Sequence, residues 1–600
     1  MKNFLKYYQD ELLVLRKQCG EFAKIHPDIA GKLDIQDGES TDPYIERLIE
    51  SVAFMVSKLD QRIDDNAQNI AFHLLSALYP NLINVFPSCG VVQFEQKNNV
   101  SMFSCIKIKK NTNIFTKSKS GNECQFRTLY PVSIYPISIS DVCLLKSYKK
   151  FGGDDRWCLE IKIKTNSVPI EQLKLDDLLF YINSDIVEDS LMIYESIFSL
   201  PDRNVFLKIG ENFLQIDAKN IIPCGFSKDD SVCPVPKYST NCFQLFQEVL
   251  HFKRKFMFFR IMDLYKIITQ SGINNIDEFS IIIDVNVLDE HLFKIIKNDS
   301  LIFNATPVVN LFPVTSDPFR FDGTQAKYLL LADQARDMAL EIHSVSELHI
   351  IDNETKENSI IQPYFSLSVD SDTNITHDIY WLYSKESSEI RNLKGEDVYI
   401  SIVDTKMNPH KSYSDVVYAK TLCTNRYESR DIPVSSKFYI DDVESAGYHA
   451  KLLHKMTNPI SFLEGTTALW NLVSTISSNH LSIARSENLL HSIKKIIEVF
   501  SAGNSVISDE IFGHINSCQI TETVKRFGND AWRGFIRGKN VTIEVDDENT
   551  FFSYLICSVV NQYLSDLVSI NSFIKLSMKS SSTGKTLAHW IPTSGRKDVL

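Results

Sequence analysis

The sequence predicts a multidomain α+β fold: an N-terminal long-helix hairpin, β-rich middle domains and a mixed α/β C-terminal domain. Apolar residues recur every three or four positions through the first eighty residues, which is typical of helices. Short alternating or wholly apolar runs dominate from 91 to about 445, which favours strands. At roughly 150 residues per domain, the length of 600 residues corresponds to three or four domains. We place them at 1–88, 89–305, 306–450 and 451–600.

The first predicted helix carries an apolar stripe, because its apolar residues are spaced by four, four, three, four and three positions. These residues are Phe4, Tyr8, Leu12, Leu15, Cys19 and Phe22. A turn near Pro27 follows, and Asp42 and Pro43 are a good N-cap and first helical residue for a second helix. That helix is expected to run for roughly 35 residues, or about 50 Å, until Tyr79-Pro80.

The stripe of the second helix consists of Ile45, Leu48, Val52, Met55, Leu59, Ile63, Ile70 and Leu74. A helix of this length paired with a shorter one cannot fill a globule, so its stripe needs a cover. Two interpretations stay open: another chain or copy covers it, or the hairpin packs on its own domain. On the first interpretation, the predicted partner-binding residues are Phe4, Tyr8, Leu12, Leu15, Ile45, Leu48, Val52, Met55, Leu59 and Ile63.

The middle of the chain has the pattern of a β-rich protein. Runs at 91–94, 105–108, 132–135 and 159–163 alternate or are apolar throughout, with Asn, Gly, Ser or Asp at their ends. We expect helical insertions near 240–253 and 258–270, and further strands with polar loops from about 305 to 445.

The last 150 residues return to a mixed pattern. Helices are predicted at 462–475 and 487–500, and an apolar helix at 551–567 with Thr550 as its cap. Strands are predicted at 541–545 and 573–578. This alternation indicates a mixed α/β domain.

The net charge argues against nucleic-acid binding, and the distribution of apolar residues argues against direct membrane insertion. The net charge is −12, and the most basic run, at 107–110, is short. The first residues lack the apolar core of a signal peptide, and no stretch of about 18 apolar residues occurs. The twelve cysteines are scattered, as expected of buried thiols in a reducing cytoplasm.

The motifs that carry chemistry are incomplete. Gly584-Lys585-Thr586 resembles the end of a phosphate-binding loop, but Lys579 stands where that loop needs glycine. The sequence has no C-x-x-C, H-E-x-x-H or G-x-S-x-G. Asp64 and Asp65 are adjacent in a predicted helix, so their side chains diverge. We therefore predict no catalytic residue, no cofactor and no metal site.

A resemblance to a known family covers the chain. The stretch 38–50 (GESTDPYIERLIE) resembles the N-terminal hallmark of the TssF family, also called VasA or ImpG, of bacterial type VI secretion systems. Further matches follow in order at 306–313 (TPVVNLFP), 340–345 (LEIHSV), 421–426 (TLCTNR), 478–482 (SNHLS) and 590–592 (WIP). Departures are modest: Asp337 replaces a usual proline, and Ile342-His343 replaces Val-Tyr.

The resemblance implies a structural protein, not an enzyme: a wedge subunit of the contractile baseplate. It implies assembly with TssG-like, TssK-like and TssE-like proteins and a second copy of itself, and indirect contact with spike and sheath. The implied location is the bacterial cytoplasm, peripheral to the inner membrane through the secretion complex. Alternatives are a wedge of another contractile phage-tail-like particle, or a cytoplasmic hydrolase with an unrecognised site. Within TLCTNR, we expect Asn425 to adopt a left-handed turn and Arg426 to anchor a loop carbonyl.

Overall fold

The structure, a computed structural model, falls into two compact units, Met1–Ala77 with Leu463–Ser474, and Leu78–Phe462 with Thr475–Leu600. The residues that it describes are 2–32, 35–36, 39–40, 42–96, 105–146, 156–165, 168–200, 202–235, 242–271, 277–287, 289–352, 356–364, 375–388, 395–404, 415–440, 447–461, 466–482, 486–501, 515–526, 535–546, 550–568 and 572–594. In the family-like stretch, Gly38 and Thr41 lie outside them.

The helices are α1 (Lys2–Ile25), α2 (Pro27–Lys32), α3 (Pro43–Leu78), α4 (Pro80–Ile83), α5 (Ile170–Leu173), α6 (Val187–Phe198), α7 (Cys242–His251), α8 (Leu264–Ser271), α9 (Leu292–Ile295), α10 (Thr466–Ser482), α11 (Ser486–Phe500) and α12 (Thr550–Leu567). 

The strands up to residue 309 are β1 (Ile35–Gln36), β2 (Glu39–Ser40), β3 (Cys89–Gln96), β4 (Ile106–Ile108), β5 (Asn113–Lys117), β6 (Glu123–Thr128), β7 (Val132–Ile134), β8 (Ile137–Lys146), β9 (Trp157–Thr165), β10 (Asp177–Ile182), β11 (Val205–Ile209), β12 (Asn212–Ile216), β13 (Ile221–Pro223), β14 (Phe258–Met262), β15 (Glu278–Val285), β16 (Leu301–Ile302) and β17 (Ala305–Val309). The later strands are β18 (Phe312–Thr315), β19 (Phe319–Phe321), β20 (Tyr328–Leu330), β21 (Glu341–Ile351), β22 (Asn358–Pro363), β23 (Ile375–Ser387), β24 (Glu396–Asp404), β25 (Asp415–Thr424), β26 (Lys437–Ile440), β27 (Tyr448–Leu452), β28 (Ile515–Arg526), β29 (Phe535–Val545), β30 (Phe573–Ser580), β31 (Thr586–His589) and β32 (Thr593–Ser594). These elements confirm the multidomain α+β prediction; the four-domain division stays a prediction.

Helix α3 begins where the sequence predicted. The Asp42 carboxylate accepts the Tyr44 N–H at 2.9 Å, and the Asp42 carbonyl accepts the Ile45 N–H at 3.1 Å. The side chain thus satisfies one of the N–H groups that a helix start leaves without a partner. With 36 residues, α3 is about 54 Å long.

A closed barrel forms part of the second unit, with strand order β17-β3-β27-β26-β5-β6. Its strands come from distant parts of the chain: β3 pairs antiparallel with β27, joining Gln96 to Tyr448 and Val92 to Leu452. Buried aromatic rings help to fill the barrel, and the Phe126 and Phe438 centroids are 5.3 Å apart in an edge-to-face arrangement.

The other large sheets are formed by segments that lie between the barrel strands in the chain or follow them. Strands β13-β14-β10-β16 and β12-β11-β15-β9-β8 form two sheets, and a larger one has the order β18-β25-β21-β22-β23-β24-β20 with β19 beside β25. At the C-terminus, β29 and β30 pair in parallel, and α12 is the connection that a parallel pair requires. This β-α-β unit confirms the mixed C-terminal pattern.

One predicted helix is wrong in its first half. Residues predicted as helix at 258–270 divide into strand β14 and helix α8. The run Phe258-Phe259-Arg260-Ile261-Met262 pairs with β10 and is buried or half-buried at each position, so its apolar character has no helical period.

The family-like segment TLCTNR ends β25 and connects it to the barrel. The Asn425 side-chain oxygen accepts the Gln125 N–H at 3.0 Å and the Asn310 amide at 2.7 Å, and its own amide donates to the Glu123 carbonyl at 3.2 Å. The Arg426 Nε donates to the Leu340 carbonyl at 2.9 Å. The expected carbonyl anchor is therefore present.

The left-handed residue of this segment is Arg426, with φ at 49°, and Asn425 is not among the residues with positive φ. The expectation for Asn425 is wrong because its side chain is bound by strand β6 and by Asn310, which follows β17, whereas Arg426 must turn the chain out of β25. A long side chain in this conformation is strained, and its hydrogen bond to Leu340 helps to hold it there.

A second polar cluster lies around α7. Glu248 and Lys255 form an ion pair whose side chains are both fully buried. Lys255 contacts Glu248 Oε2, and Glu248 Oε1 accepts the Val232 N–H at 2.7 Å and the Gln244 amide at 3.2 Å. Because every charge is matched by a partner, the cluster ties α7 to the segment around Val232.

Candidate interaction surface on the N-terminal helices

Helices α1 and α3 contact each other as an antiparallel hairpin. The Arg16 guanidinium donates to the Glu46 carboxylate at 2.6 Å, and the Tyr7 hydroxyl donates to the Asp64 carboxylate at 2.6 Å. An early residue of α1 thus meets a late residue of α3. The expected N-terminal hairpin is present.

Helix α3 buries a face of mostly small residues. Ala53, Ser57, Ala71 and Leu75 are all at most 2% exposed, and the Ser57 hydroxyl donates to the Ala53 carbonyl at 2.7 Å within the helix. At 100° per residue these positions fall within about 40° of one another. Small side chains there leave the large apolar ones on another face.

The large apolar residues of α3 face solvent in this chain. The exposed fractions are 66% for Leu48, 61% for Met55, 58% for Leu59, 64% for Ile63, 62% for Ile70 and 44% for Leu74. Their spacing of seven, four, four, seven and four places them on one side of the helix, within an arc of about 100°. We call these six residues the α3 stripe. A contiguous exposed patch of this kind is typical of a protein-binding surface.

The other predicted residues are less exposed, although Ile45 and Val52 fall on the same side of α3 as the stripe. Phe4, Tyr8, Leu12 and Leu15 of α1 and Ile45 and Val52 of α3 are half-buried. Phe4 packs edge-to-face on Phe54 with centroids 5.2 Å apart. The α1 part of the predicted set therefore contributes to packing within the first unit, and its role in partner binding stays a prediction.

Some exposed apolar residues of the hairpin lie outside the predicted partner-binding set. Ile70 and Leu74 continue the α3 stripe, and the same helical spacing identifies them. Leu5 and Leu13 of α1 are 58% and 67% exposed but lie outside the predicted stripe. No periodic signal marks them.

The titratable groups that the structure describes give no sign of a metal or nucleophile site. Among the described residues, no group of three or more His, Cys, Asp or Glu side chains is placed to hold a metal ion. All twelve cysteines are free thiols, and burial raises the pKa of buried ones such as Cys423, to about 11. Such thiols stay protonated at neutral pH and are poor nucleophiles.

Burial also holds His343 neutral. It replaces the tyrosine usual in the family-like motif LEIHSV, and desolvation lowers its pKa to about 3. Its Nε2 lies 3.9 Å from the Cys233 sulfur.

Within the described ranges, no helix combines the length and hydropathy that a transmembrane segment requires.

Comparison with known proteins agrees with the motifs. The family model for "Type VI secretion system, TssF" matches residues 1–597. The type VI secretion system component TssF1 of Pseudomonas aeruginosa is 22% identical over 628 residues, covering 99% of each chain.

Two solved structures have a similar fold. A chain of the type VI secretion system TssK-TssF-TssG baseplate subcomplex aligns with a TM-score of 0.70 at 19% identity, over 92% of this chain and all of that one. A chain of the baseplate complex from the type VI secretion system aligns with a TM-score of 0.57 at 16% identity, over 99% of this chain and all of that one. The match of the family model over almost the whole length is decisive: this chain belongs to the TssF family of the type VI secretion system.

Proposed function

We propose that this chain is a structural wedge subunit of a type VI secretion baseplate. Its partners are TssG-like and TssK-like chains, because the solved assembly whose chain it resembles over 92% of its length contains both. A TssE-like chain and a second copy of itself complete the wedge, as the family resemblance implies. The protein works through contacts and not through catalysis, at the cytoplasmic side of the inner membrane, where the assembled wedges surround the spike and start the sheath.

The observation that carries this proposal is the α3 stripe. Six large apolar side chains lie along one side of a helix of about 54 Å, and their exposure to water in the isolated chain is unfavourable. Another amphipathic helix that covers them removes this apolar area from water, as in helix-in-groove recognition and helical bundles. Because the apolar surface is a long stripe and not a pocket, it favours an extended helical partner within the wedge.

Charged substitutions on the stripe side of α3 test the proposal, two of them at the stripe residues Leu48 and Leu59 and one at the half-buried Val52 between them. The variant L48E/V52E/L59E is co-expressed with the TssG-like chain of the same system, and complexes are measured by size exclusion with mass determination. We expect loss of the complex, because three carboxylates cannot be buried against an apolar partner. The second unit is expected to keep its thermal transition.

The matched control is R47E/S51E/K58E, which adds more negative charge at exposed positions off the stripe on the same helix. It should retain the complex. Assembly by the stripe variant at wild-type level would contradict the proposal, as would equal loss in both variants.

A further inference from the structure

A cavity of about 330 Å³ lies within the second unit. It is lined by the C-terminal half of α6, the segment before α9, the start of α12 and the turn between β30 and β31. Its polar lining includes Glu195, Ser196, Asp289, Thr550, Thr583 and Lys585. A volume of this size is in the lower range of ligand pockets and accommodates one long side chain.

The chemically distinctive group in the cavity is the Glu195 carboxyl. The residue is only 2% exposed. Its Oε2 accepts the Thr550 hydroxyl at 3.1 Å, whereas its Oε1 is buried with no hydrogen-bond partner among the described residues. Burial raises the pKa of this carboxyl to about 7, although the Thr550 hydrogen bond opposes the shift. A buried carboxylate with one oxygen unpaired is stabilised by a further hydrogen-bond donor or a cation at that oxygen.

Two other charged side chains line the cavity with Glu195. Asp289 contributes a second carboxylate, which accepts the His291 N–H at 2.8 Å, and Lys585 contributes a cation from the exposed β30–β31 turn. Within the described chain, neither carboxylate forms an ion pair with Lys585. From α12, Tyr554 and Cys557 lie nearby, and both are neutral because burial raises their pKa values. With Glu195 ionised, the lining carries two negative charges and one positive charge, so its charge is balanced by one further cation.

The rest of the lining suits an alkyl stem. Met192, Leu292, Phe551 and Leu587 supply apolar surface beside the polar groups. A guanidinium on a three-carbon stem matches both parts, because its fork of N–H donors can serve Glu195 Oε1 and neighbouring oxygens at once. An ammonium group presents a single point of charge and matches fewer of these acceptors.

We propose that this cavity is a receptor site for one arginine side chain of a neighbouring baseplate subunit, with Glu195 as its principal acceptor. This inference rests on the proposed function, because the arginine belongs to a partner in the wedge. Entry of the guanidinium supplies donors to Glu195 and keeps its carboxyl ionised. Proton release from Glu195 accompanies binding near neutral pH.

The test uses the full chain alone and small probes at millimolar concentration. N-acetyl-arginine methylamide is titrated by calorimetry at pH 7 in two buffers of different ionisation enthalpy, and the citrulline analogue serves as the uncharged isostere. We expect the arginine probe to bind with release of a fraction of a proton, and the citrulline probe to bind at least tenfold more weakly. Equal binding of the two probes, or no binding of the arginine probe, would overturn the proposal.

Three variants assign the effect to the cavity. E195Q should weaken the arginine probe at least tenfold and abolish proton release, whereas E188Q, at an exposed position on the same helix α6, should change neither. K585M removes the competing cation and should tighten binding severalfold, which keeps the test decisive if E195Q is poorly folded. Unchanged affinity in K585M together with unchanged proton release in E195Q refutes the site. Because no partner chain is present, failure here is distinct from failure of wedge assembly.

Discussion

Replacement of Asn425 by alanine tests whether the family-like segment at the end of β25 holds the barrel to the larger sheet. The substitution removes three side-chain hydrogen bonds: those with the Gln125 N–H, the Asn310 amide and the Glu123 carbonyl. The Asn425 backbone N–H keeps its bond to the Asn310 side-chain oxygen at 2.8 Å. Asn310 also keeps its bond to the Gln125 carbonyl at 2.7 Å.

The expected cost is about 2–4 kcal/mol. Each lost hydrogen bond contributes about 1 kcal/mol, and a buried group left without a partner costs about 1–3 kcal/mol. Asn425 is 1% exposed and Asn310 is fully buried, so water cannot easily replace the missing side chain. The remaining bonds of Asn310 keep the loss below the sum of its parts.

Hydrogen exchange measured by mass spectrometry is suited to this prediction, because it reports the opening of individual segments in a multidomain chain. In peptides covering β6 and β17, we expect exchange about 30- to 1,000-fold faster, since about 1.4 kcal/mol corresponds to a factor of ten. N358A is the control, because Asn358 is exposed and makes a hydrogen bond to the Tyr418 hydroxyl. Protection in β6 and β17 that matches the control would refute the reasoning.

Two further predictions concern buried charges. K255M leaves the Glu248 carboxylate buried without its cation and should lower the free energy of unfolding, measured by thermal unfolding, by about 3–5 kcal/mol. K255M/E248L should recover part of this loss, because the Val232 N–H and the Gln244 amide still lack their acceptor. The pKa of Glu195 is raised from 4.5 to about 7, so its stabilising effect is complete below pH 4.5 and is lost as pH rises through 7. The stability of wild type relative to E195Q should therefore fall by about 3 kcal/mol between pH 4.5 and pH 8, and a pH-independent difference would contradict this reasoning.

Local signals were sufficient for the helices at both ends of the chain. Asp42 and Pro43 specify the start of α3, and Tyr79-Pro80 specifies its end, because these residue types act on the backbone within one turn. The same holds for α12, whose predicted beginning beside Thr550 agrees with the structure. Strand β14 was misjudged because a buried apolar run looks the same in a helix and in a central strand.

The candidate interaction surface was predicted only in part. Periodicity located Leu48, Met55, Leu59 and Ile63 on one side of α3, but it cannot say which apolar face a neighbouring helix covers. The buried face at Ala53 and Ser57 decides that question, and it becomes visible only once α1 is placed. The cavity around Glu195 had no sequence signal, because its lining comes from four separate segments.

The closed barrel has a consequence for synthesis on the ribosome. Strand β3 ends at Gln96, yet one of its neighbours, β27, begins at Tyr448. At 5–20 residues per second, roughly 20 to 70 s pass before translation reaches that neighbour. During this interval the apolar side chains of Val91, Val92 and Phe94 lack their final cover, so the nascent chain is vulnerable to aggregation. The rate of elongation and the supply of chaperones, more than equilibrium stability, should then set the yield of folded protein.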